Sequence, residues 1–514
     1  MCTYFQQFSQ TFRLLAQPFP KSQLIFAAQV GSPTGGAGGI LRFENLSYLK
    51  GENGSSVTVT VNRIGLIATT LPVTVDYQTF NETALAGQDY VPTNGILTFN
   101  LLENSKTITI PLLNDSVLEP RESFRIELSN PTNDAEIDQN RGAATLQILD
   151  EDLSNGNLLI SEFRQRGRLG ANDEYIKLYN PNEFDVTAFA ADGSSGLTLG
   201  KSTGADVSAI VTIPNLVTIP ARGHYLLTNN HPSGGFSLID YPTGLGSTTA
   251  VGDQTFSANI GDNSNLVILK TANPANFTPA NLLDAVGFNG SWTGEGTPLP
   301  ATVAEDAESC YVRKLTPNGL QDSNNNAADF LLLDNRARVV STNGEDLYSV
   351  LGAPAPETTE SLRLMNSSEV SFRELATRFG SESYDSRPVP NGVNGTLTLY
   401  RQITNHTSEP INRLRLRVID FPTAGGALNS ASPDFRILSS VDGTAPTGQR
   451  KIIQAQGLTL AAERLQPNGG GINSTLTLDS MTPLAPGQSV VVAIRLGVMR
   501  YGKHPFAVAI EAMR

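Results

Sequence analysis

Residues 107–128 read TITIPLLNDSVLEPRESFRIEL and lie within the stretch from Asp89 to Asp152 that decides the fold. Apolar residues alternate with polar ones at a period of two in this stretch and in the strand that closes it. The apolar positions are Ile108, Ile110, Phe124, Ile126, Leu128, Ala144, Leu146 and Ile148. Such alternation predicts antiparallel strands with one buried face.

Acidic residues fall where these strands stop. They are Asp115, Glu119 and Glu122 in one turn, and Asp150, Glu151 and Asp152 after the last strand. Strand ends gather at the two edges of a β-sandwich, so both turns at one end would bring the carboxylates within about 10 Å of each other. Such a cluster needs protons or a cation, and flexible oxygen ligands suit Ca²⁺ better than Mg²⁺. From spacing alone, a calcium site and a solvated acidic rim stay equally open.

The same stretch closely resembles a Calx-beta domain, a calcium-binding sandwich. The residues that carry the resemblance are Phe43-Glu44, Ala86-Gly87-Gln88-Asp89-Tyr90, Asn114-Asp115, Glu119, Glu122-Ser123-Phe124, Leu128-Ser129-Asn130-Pro131 and Asp150-Glu151-Asp152. The resemblance implies that residues 40–152 form such a domain and bind Ca²⁺. The ligands that it implies are Glu44, Asp115, the carbonyl of Val117, Glu119, Glu122, Asp150, Glu151 and Asp152.

Two positions depart from the family pattern. Asn114 and Asn81 stand where strongly binding members carry acids. Both keep an oxygen donor but lose a charge, so we expect one Ca²⁺ with reduced affinity rather than several ions.

Composition bounds the rest of the chain. Its 514 residues predict about three domains. The 46 glycines and 30 prolines favour short strands and turns over helices. A net charge of −13 argues against nucleic acid as a partner. No stretch of about 18 apolar residues occurs, so we expect no membrane span.

Residues 1–39 are interpreted as a leader that ends in the Gly-rich linker GSPTGGAGG, residues 31–39. A signal peptide is not clearly readable there, because an apolar core of 7–15 residues is missing. The domain families, more than this segment, favour an extracellular or cell-surface location.

Residues 157–335 show a different spacing of strands and turns. The landmarks are Leu158–Phe163, Glu174–Pro181, Thr218–Leu227, Asp262–Leu269, Leu283–Phe288 and Asn324–Phe330. In this order they resemble a lamin tail domain of the secreted bacterial kind. The resemblance implies an immunoglobulin-like sandwich that serves as an accessory or interaction module, with no catalytic residues.

Residues 336–357 are predicted to be a linker, stiffened at Pro354–Pro356, and residues 358–514 a third β-sandwich of unassigned family. The predicted fold is therefore all-β, with three tandem immunoglobulin-like or fibronectin-like β-sandwich domains.

Other motifs give weaker signals. Gly200-Lys201-Ser202-Thr203-Gly204 has the string of a serine hydrolase, but no helical pattern follows it. Asp322, Asn324 and Asn326 begin like an EF-hand loop, yet the sixth and twelfth positions are Ala327 and Leu333, which favours a capping turn over a weak calcium site. Trp292, in a Gly-rich loop, could stack on a sugar or plug the core.

We expect a non-catalytic, secreted or cell-surface modular protein for adhesion or scaffolding, with Ca²⁺ in its first sandwich and with proteins or surface glycans as partners. Two alternatives remain open. One is an exported hydrolase with a site in the C-terminal half, and the other is a carbohydrate-binding module built around Trp292.

Overall fold

The computed structural model describes most of the chain from residue 36 to residue 513. The described ranges are 36–65, 71–154, 156–167, 169–237, 252–301, 309–316, 319–334, 338–340, 346–348, 357–375, 382–422, 433–445, 453–461, 463, 468–478, 482–502 and 506–513. Within them the protein is nearly all-β, which confirms the predicted fold class. The helical elements there are short: the turns Glu52–Gly54, Pro274–Asn276 and Pro279–Asn281, and the helix Asn326–Asp329.

In its described residues the first unit has nine strands. They are β1 Ile40–Phe43, β2 Ser47–Gly51, β3 Ser56–Ile64, β4 Val73–Asn81, β5 Asn94–Phe99, β6 Ser105–Pro111, β7 Glu122–Ser129, β8 Glu136–Ile137 and β9 Ala143–Leu149. One sheet has the order β6-β3-β1-β8, and the other has the order β2-β9-β7-β4-β5. The alternating residues named above are all buried between the sheets, as predicted.

Two pairings decide what lies at one end of this sandwich. β2 runs parallel to β9, with Gly51 opposite Leu149. β7 runs antiparallel to β9, so Glu122 lies opposite Ile148. β2 and β9 therefore end, and β7 begins, at the same end of the sandwich. The acidic turns lie at this end.

The second unit has two main sheets. Its strands are β10 Leu159–Arg164, β11 Tyr175–Tyr179, β12 Val186–Thr187, β13 Gly196–Ser202, β14 Ser208–Pro214, β15 Thr218–Ile219, β16 His224–Asn229, β17 Gln254–Phe256, β18 Asn265–Leu269, β19 Leu282–Val286, β20 Ser309–Arg313, β21 Leu315–Thr316, β22 Gly319–Leu320 and β23 Phe330–Asp334. The sheet orders are β17-β16-β11-β10-β20-β23 and β14-β13-β18-β19, and the pairs β12-β15 and β21-β22 stand apart.

The remaining strands belong to the C-terminal part of the chain. They are β24 Arg338–Val340, β25 Asp346–Tyr348, β26 Arg363–Leu364, β27 Val370–Glu374, β28 Glu382–Asp385, β29 Thr396–Asn405, β30 Arg413–Asp420, β31 Asp434–Leu438, β32 Gly443–Ala445, β33 Ile453–Ala455, β34 Thr459–Leu460, β35 Thr475–Thr477, β36 Ser489–Arg500 and β37 Ala507–Met513. The main sheet orders are β26-β37-β30-β35-β34 and β27-β29-β36-β31, with β28 also paired to β29.

Buried apolar side chains form one large cluster in each of the three parts. The division into three domains stays a prediction, and Pro354–Pro356 lie outside the described residues.

Glu357, the last residue of the predicted linker, is buried rather than exposed, because it pairs with Lys177 of β11 and with Arg415 and Arg417 of β30. In the ranges given above, no helix is long and apolar enough to cross a bilayer.

Candidate metal centre

The first carboxylate group follows from the parallel pairing of β2 and β9. Because Gly51 lies opposite Leu149, the next residues, Glu52 and Asp150, stand side by side. Asp152 joins them, and one carboxylate oxygen from each of Glu52, Asp150 and Asp152 lies within 4.8 Å of the other two. We call these three residues the junction group.

Several carboxylate oxygens in and beside the junction group have no hydrogen-bond donor among the described protein residues. Glu52 is 4% exposed. Its Oε1, the Oδ2 of Asp152 and the Oε2 of neighbouring Glu151 are buried and have no hydrogen-bond partner in the described structure. Burial, reinforced by the charge of Asp150, raises the pKa of Glu52 to about 8. Burial also raises the pKa of Glu151 to about 7, although the Asn53 amide donates to its carboxylate.

A second group, Asp89, Glu119 and Glu122, lies beside the first, again with one oxygen of each within 4.8 Å of the others. Burial, followed by the charge of Asp89 and a hydrogen bond to it, raises the pKa of Glu122 to about 7. Asp89 accepts a hydrogen bond of 2.6 Å from the Leu85 amide. The Glu122 and Asp89 carboxyl groups thus lie within hydrogen-bonding distance of each other.

Backbone amides connect the two groups. The main-chain amide of Glu119 donates to Oδ2 of Asp150, and the amide of Asp152 donates to Oδ1 of Asp150 at 2.5 Å. Burial raises the pKa of Asp150, and these two amides act in the opposite direction. The Asp150 carboxylate is therefore held in position by the turn that contains Glu119.

The structure brings together four of the eight residues that the Calx-beta resemblance implies as ligands: Glu119, Glu122, Asp150 and Asp152. Glu151 adjoins them. Asp115 accepts a hydrogen bond of 2.7 Å from the Val117 amide, and the charge of Asp115 contributes, after burial and other acids, to the raised pKa of Glu119 and Asp150. Val117 is exposed in this turn.

Glu44 lies elsewhere. Its amide donates to the carbonyl of Thr60, and its side chain is exposed at the point where the chain crosses from β1 to β2. Thr60 lies four residues from the start of β3 at Ser56, which corresponds to about 13 Å along the strand. The structure therefore places Glu44 in neither carboxylate group, whereas Glu52 belongs to the junction group.

Sequence reasoning missed Glu52 and Asp89 as members of the groups. A signal for Glu52 was present, because it is an acid directly after a strand, as Asp150 is. The parallel partner of β2 was not readable, so nothing linked the two positions. Asp89 was noted within the Ala86–Tyr90 motif without a metal role.

The two asparagines that depart from the family pattern have structural partners. Oδ1 of Asn81 accepts hydrogen bonds from the Ala86 amide at 3.0 Å and from the Tyr90 hydroxyl at 2.7 Å. Nδ2 of Asn114 donates to the carbonyl of Asp115 at 3.0 Å. Neither side chain adds charge to the acidic groups.

The junction group fits a hard cation. Its donors are all oxygens, and three carboxylate oxygens at or beside it are buried without a partner. Leaving such atoms unpaired costs about 1–3 kcal/mol each, and more for charged groups. A donor set made only of protein carboxylates suits the adaptable coordination of Ca²⁺ better than the strict octahedron of Mg²⁺, which keeps several waters.

The junction group also lies where the first unit meets the second. Leu153, directly after Asp152, belongs to the second unit's core, and Leu118 packs against that core. Nδ2 of Asn53 donates to the carbonyl of Ala191 at 3.1 Å. A Cβ built on Gly51 would meet the Phe189 ring at 2.6 Å, so that ring packs directly on Gly51. An ion bound here would touch the chain that joins the two units.

The weaker sequence signals have structural explanations. Lys201 and Ser202 lie in β13, which leads to β14 rather than to a helix, so Ser202 does not occupy a nucleophile turn. The Trp292 indole donates to the Ala205 carbonyl at 3.0 Å and packs on Val267, Leu269 and Ala285, as a plug under its loop would.

The four histidines remain separate where they are described. His224 is buried, and burial lowers its pKa to about 3. His231 bonds the Ser233 hydroxyl at 2.7 Å, and His406 bonds that of Ser371 at 2.9 Å. His504 lies outside the described residues.

Comparison with known proteins confirms the resemblance of the first unit. Residues 37–152 match the family model of the Calx-beta domain. A segment of 60 residues is 50% identical to adhesion G-protein coupled receptor V1 of Danio rerio, over 12% of this chain and 1% of that protein. A segment of 97 residues is 35% identical to sodium/calcium exchanger 1 of Rattus norvegicus, over 19% of this chain and 10% of that protein.

Among solved structures, the apo-form Calx CBD1 domain is 33% identical, with 22% of this chain and 96% of that chain covered and a TM-score of 0.21. The matched segments span between 1% and 10% of the two curated relatives named here.

Proposed function

We propose that this chain belongs to a non-catalytic modular protein whose first unit binds Ca²⁺ at the junction group and is thereby fixed against the second unit. The observation that carries this proposal is the convergence of Glu52, Asp150 and Asp152, with buried unpartnered oxygens, at the point where the chain enters the second core. The match of residues 37–152 to the Calx-beta family supports calcium as the ion.

The chain's own residues define what the ion does. Glu52, Asp150 and Asp152 would hold it, and the Glu119 amide keeps Asp150 in place. The ion would replace the protons that the raised pKa values of Glu52 and Glu151 indicate. Because Leu153 follows Asp152 into the second core, holding Asp152 restricts rotation of one unit against the other.

The roles of the other units remain part of the proposal. We assign residues 157–335 as a lamin-tail-like accessory module, on the sequence landmarks and on the paired six- and four-stranded sheets. The protein would act in adhesion or scaffolding outside the cell or at its surface, with proteins or surface glycans as partners. A calcium-stiffened junction would serve this role by fixing the relative orientation of the first two units.

Thermal melting of the full chain with and without Ca²⁺ tests the proposal. Glu52→Gln should remove most of the calcium-dependent rise in melting temperature. Glu44→Gln is the matched control, because it changes the same type of residue in the same unit outside both groups. Glu44→Gln should melt like the wild type in both conditions. An equal rise in wild type and Glu52→Gln would overturn the junction group as a calcium site.

A further inference from the structure

Three acidic residues of the second unit meet at a site separate from both groups described above. Asp284 lies in β19, Glu295 lies in the loop after that strand, and Asp322 lies between β22 and the short helix. One carboxylate oxygen of each lies within 4.8 Å of the others. Asp284 and Glu295 are buried, whereas Asp322 is accessible to solvent, so an ion would have a path from outside.

The positive charge beside these acids is Arg313 of β20, whose side chain is fully buried. Its Nη2 donates to both oxygens of Asp284, at 3.0 and 2.8 Å, and its Nη1 donates to Asp322 at 3.1 Å. A fourth acid, Asp329, lies 3.8 Å from Nη1. The Asp329 carboxylate is satisfied by hydrogen bonds from Ser323, Gln321 and Asn325. Three carboxylates thus contact one guanidinium, and Glu295 adds a fourth carboxylate beside them, so acidic groups outnumber the cation.

Glu295 is the acid of this site that has an unsatisfied hydrogen-bond acceptor. It is 8% exposed, and its Oε1 is buried with no hydrogen-bond partner in the described structure. Its Oε2 receives a long contact of 3.4 Å from Nδ2 of Asn326. A buried carboxylate oxygen with no donor is costly. Either a proton or a cation can satisfy it.

The EF-hand-like spacing noted in this part of the sequence does not form a loop of ligands. Oδ1 of Asn326 accepts from the amides of Gly287 and Glu295, both at 2.8 Å, and Nδ2 of Asn326 donates to the Ala285 carbonyl at 2.9 Å. This asparagine therefore fastens the Glu295 loop to β19. Of the three residues with that spacing, Asp322 is the one that joins the acidic group.

We propose that Asp284, Glu295 and Asp322 form a second Ca²⁺ site in this protein, independent of the one in the first unit. Arg313 holds Asp284 and Asp322 in place from one side. The unpartnered oxygen of Glu295 is available to coordinate the ion. Three carboxylates leave the other positions to water, which the accessible Asp322 admits.

The site also lies against the chain that joins the first two units. The Gly156 amide donates to the carbonyl of Leu283, next to Asp284, at 2.9 Å. A Cβ built on Gly156 would lie 3.5 Å from Oδ2 of Asp322. Gly156 follows Asp152 by four residues, which span at most about 14 Å. The junction group and this second site would therefore restrain the same short segment, one at Asp152 and the other at Gly156.

The test is the number of Ca²⁺ ions bound per full chain, measured by titration calorimetry and by equilibrium dialysis against Ca²⁺ after removal of metal with a chelator. Glu295→Gln and Asp322→Asn should each lower that number by one while the first unit is unchanged. Asp206→Asn is the control, because it removes one exposed charge from the turn between β13 and β14, outside the three acidic groups found among the described residues.

Asp322→Asn changes an accessible residue, so it keeps the test decisive if Glu295→Gln fails to fold, as circular dichroism will show. Retention of the full number of ions by a folded Asp322→Asn or Glu295→Gln variant overturns the site, as does an equal loss in Asp206→Asn. Glu52→Gln addresses only the first unit, so this inference goes beyond the proposed function, and the two fail separately.

Discussion

The main-chain amide of Glu119 donates a hydrogen bond to the carboxylate of Asp150. This bond joins the turn between β6 and β7 to the segment after β9, and it connects the two carboxylate groups of the first unit. A change in the charge of one turn therefore alters the electrostatic environment of the other.

Replacing Asp115 and Asp152 by Asn, singly and together, separates a calcium site from a solvated acidic rim. Each change relieves repulsion, so the calcium-free protein should melt slightly higher in either case. Saturation at 100 times the dissociation constant should stabilise wild type by about 2.7 kcal/mol. The double variant should lose most of this gain, because uncharged oxygens hold Ca²⁺ weakly. The quantity to compare is the difference in melting temperature with and without Ca²⁺, and equal differences would leave these acids as a rim.

Stability without calcium should fall as pH rises through neutrality. The pKa values of Glu52, Glu122 and Glu151 are raised to about 8, 7 and 7 from 4.5. The folded state therefore binds more protons than the unfolded state between pH 4.5 and 8, and stability is lost as pH increases in that window. Melting temperatures at pH 6 and pH 8.5 should show this fall for the full chain in chelator.

Glu52→Gln should reduce the fall, because the amide has no proton to lose. Saturating Ca²⁺ should also reduce it, since the ion replaces the protons and binds more tightly as pH rises. A pH dependence identical in wild type and Glu52→Gln would contradict the assignment of the buried proton to Glu52.

Phe189→Ala should uncouple calcium binding from the orientation of the first two units. The Phe189 ring packs on Gly51, which precedes Glu52 in the chain. Phe189 offers no oxygen ligand, so its removal leaves the carboxylates of the junction group in place. We expect Ca²⁺ affinity to stay within a few-fold of wild type. The protection that Ca²⁺ gives against proteolysis at residues 153–157 should be lost. Phe277→Ala is the control, because Phe277 packs within the second unit against β18 and β19. Calcium-dependent protection that persists in Phe189→Ala would separate the site from the junction.

Glu357→Ala should destabilise the association of the second and third parts of the chain. Glu357 is 2% exposed and pairs with Lys177 at 2.6 Å, with Arg415 at 2.8 Å and with Arg417. Its removal leaves three buried cations with two buried acids, because Lys177 keeps Glu162 and the two arginines keep Glu511. Loss of one partner from such a network costs up to about 3–5 kcal/mol.

Denaturant unfolding of the full Glu357→Ala chain should show a lower midpoint denaturant concentration for the transition that involves β11 and β30. Glu360→Ala, at an exposed acid three residues away, should leave this transition in place. A shift of similar size in both variants would argue against the buried network as the cause.

Local sequence determined the strands of the first unit and the positions of most of its acids. Alternation at a period of two is a local property, so Ile108, Phe124 and Ile126 were correctly predicted to be buried. Acids at strand ends are equally local, and the expectation that Glu119, Glu122, Asp150 and Asp152 converge required only a sandwich in which strand ends meet. All four belong to the two groups.

Tertiary structure alone decided which other acids belong to the sites. Glu44 and Glu52 are both acids after short strands, but only the parallel pairing of β2 with β9 places Glu52 beside Asp150. Asp284, Glu295 and Asp322 come from three separate segments that Arg313 and Asn326 draw together. Period and composition report which side of a strand is buried, whereas the partner of each strand depends on contacts between residues far apart in the chain, and these contacts set the register that makes a site.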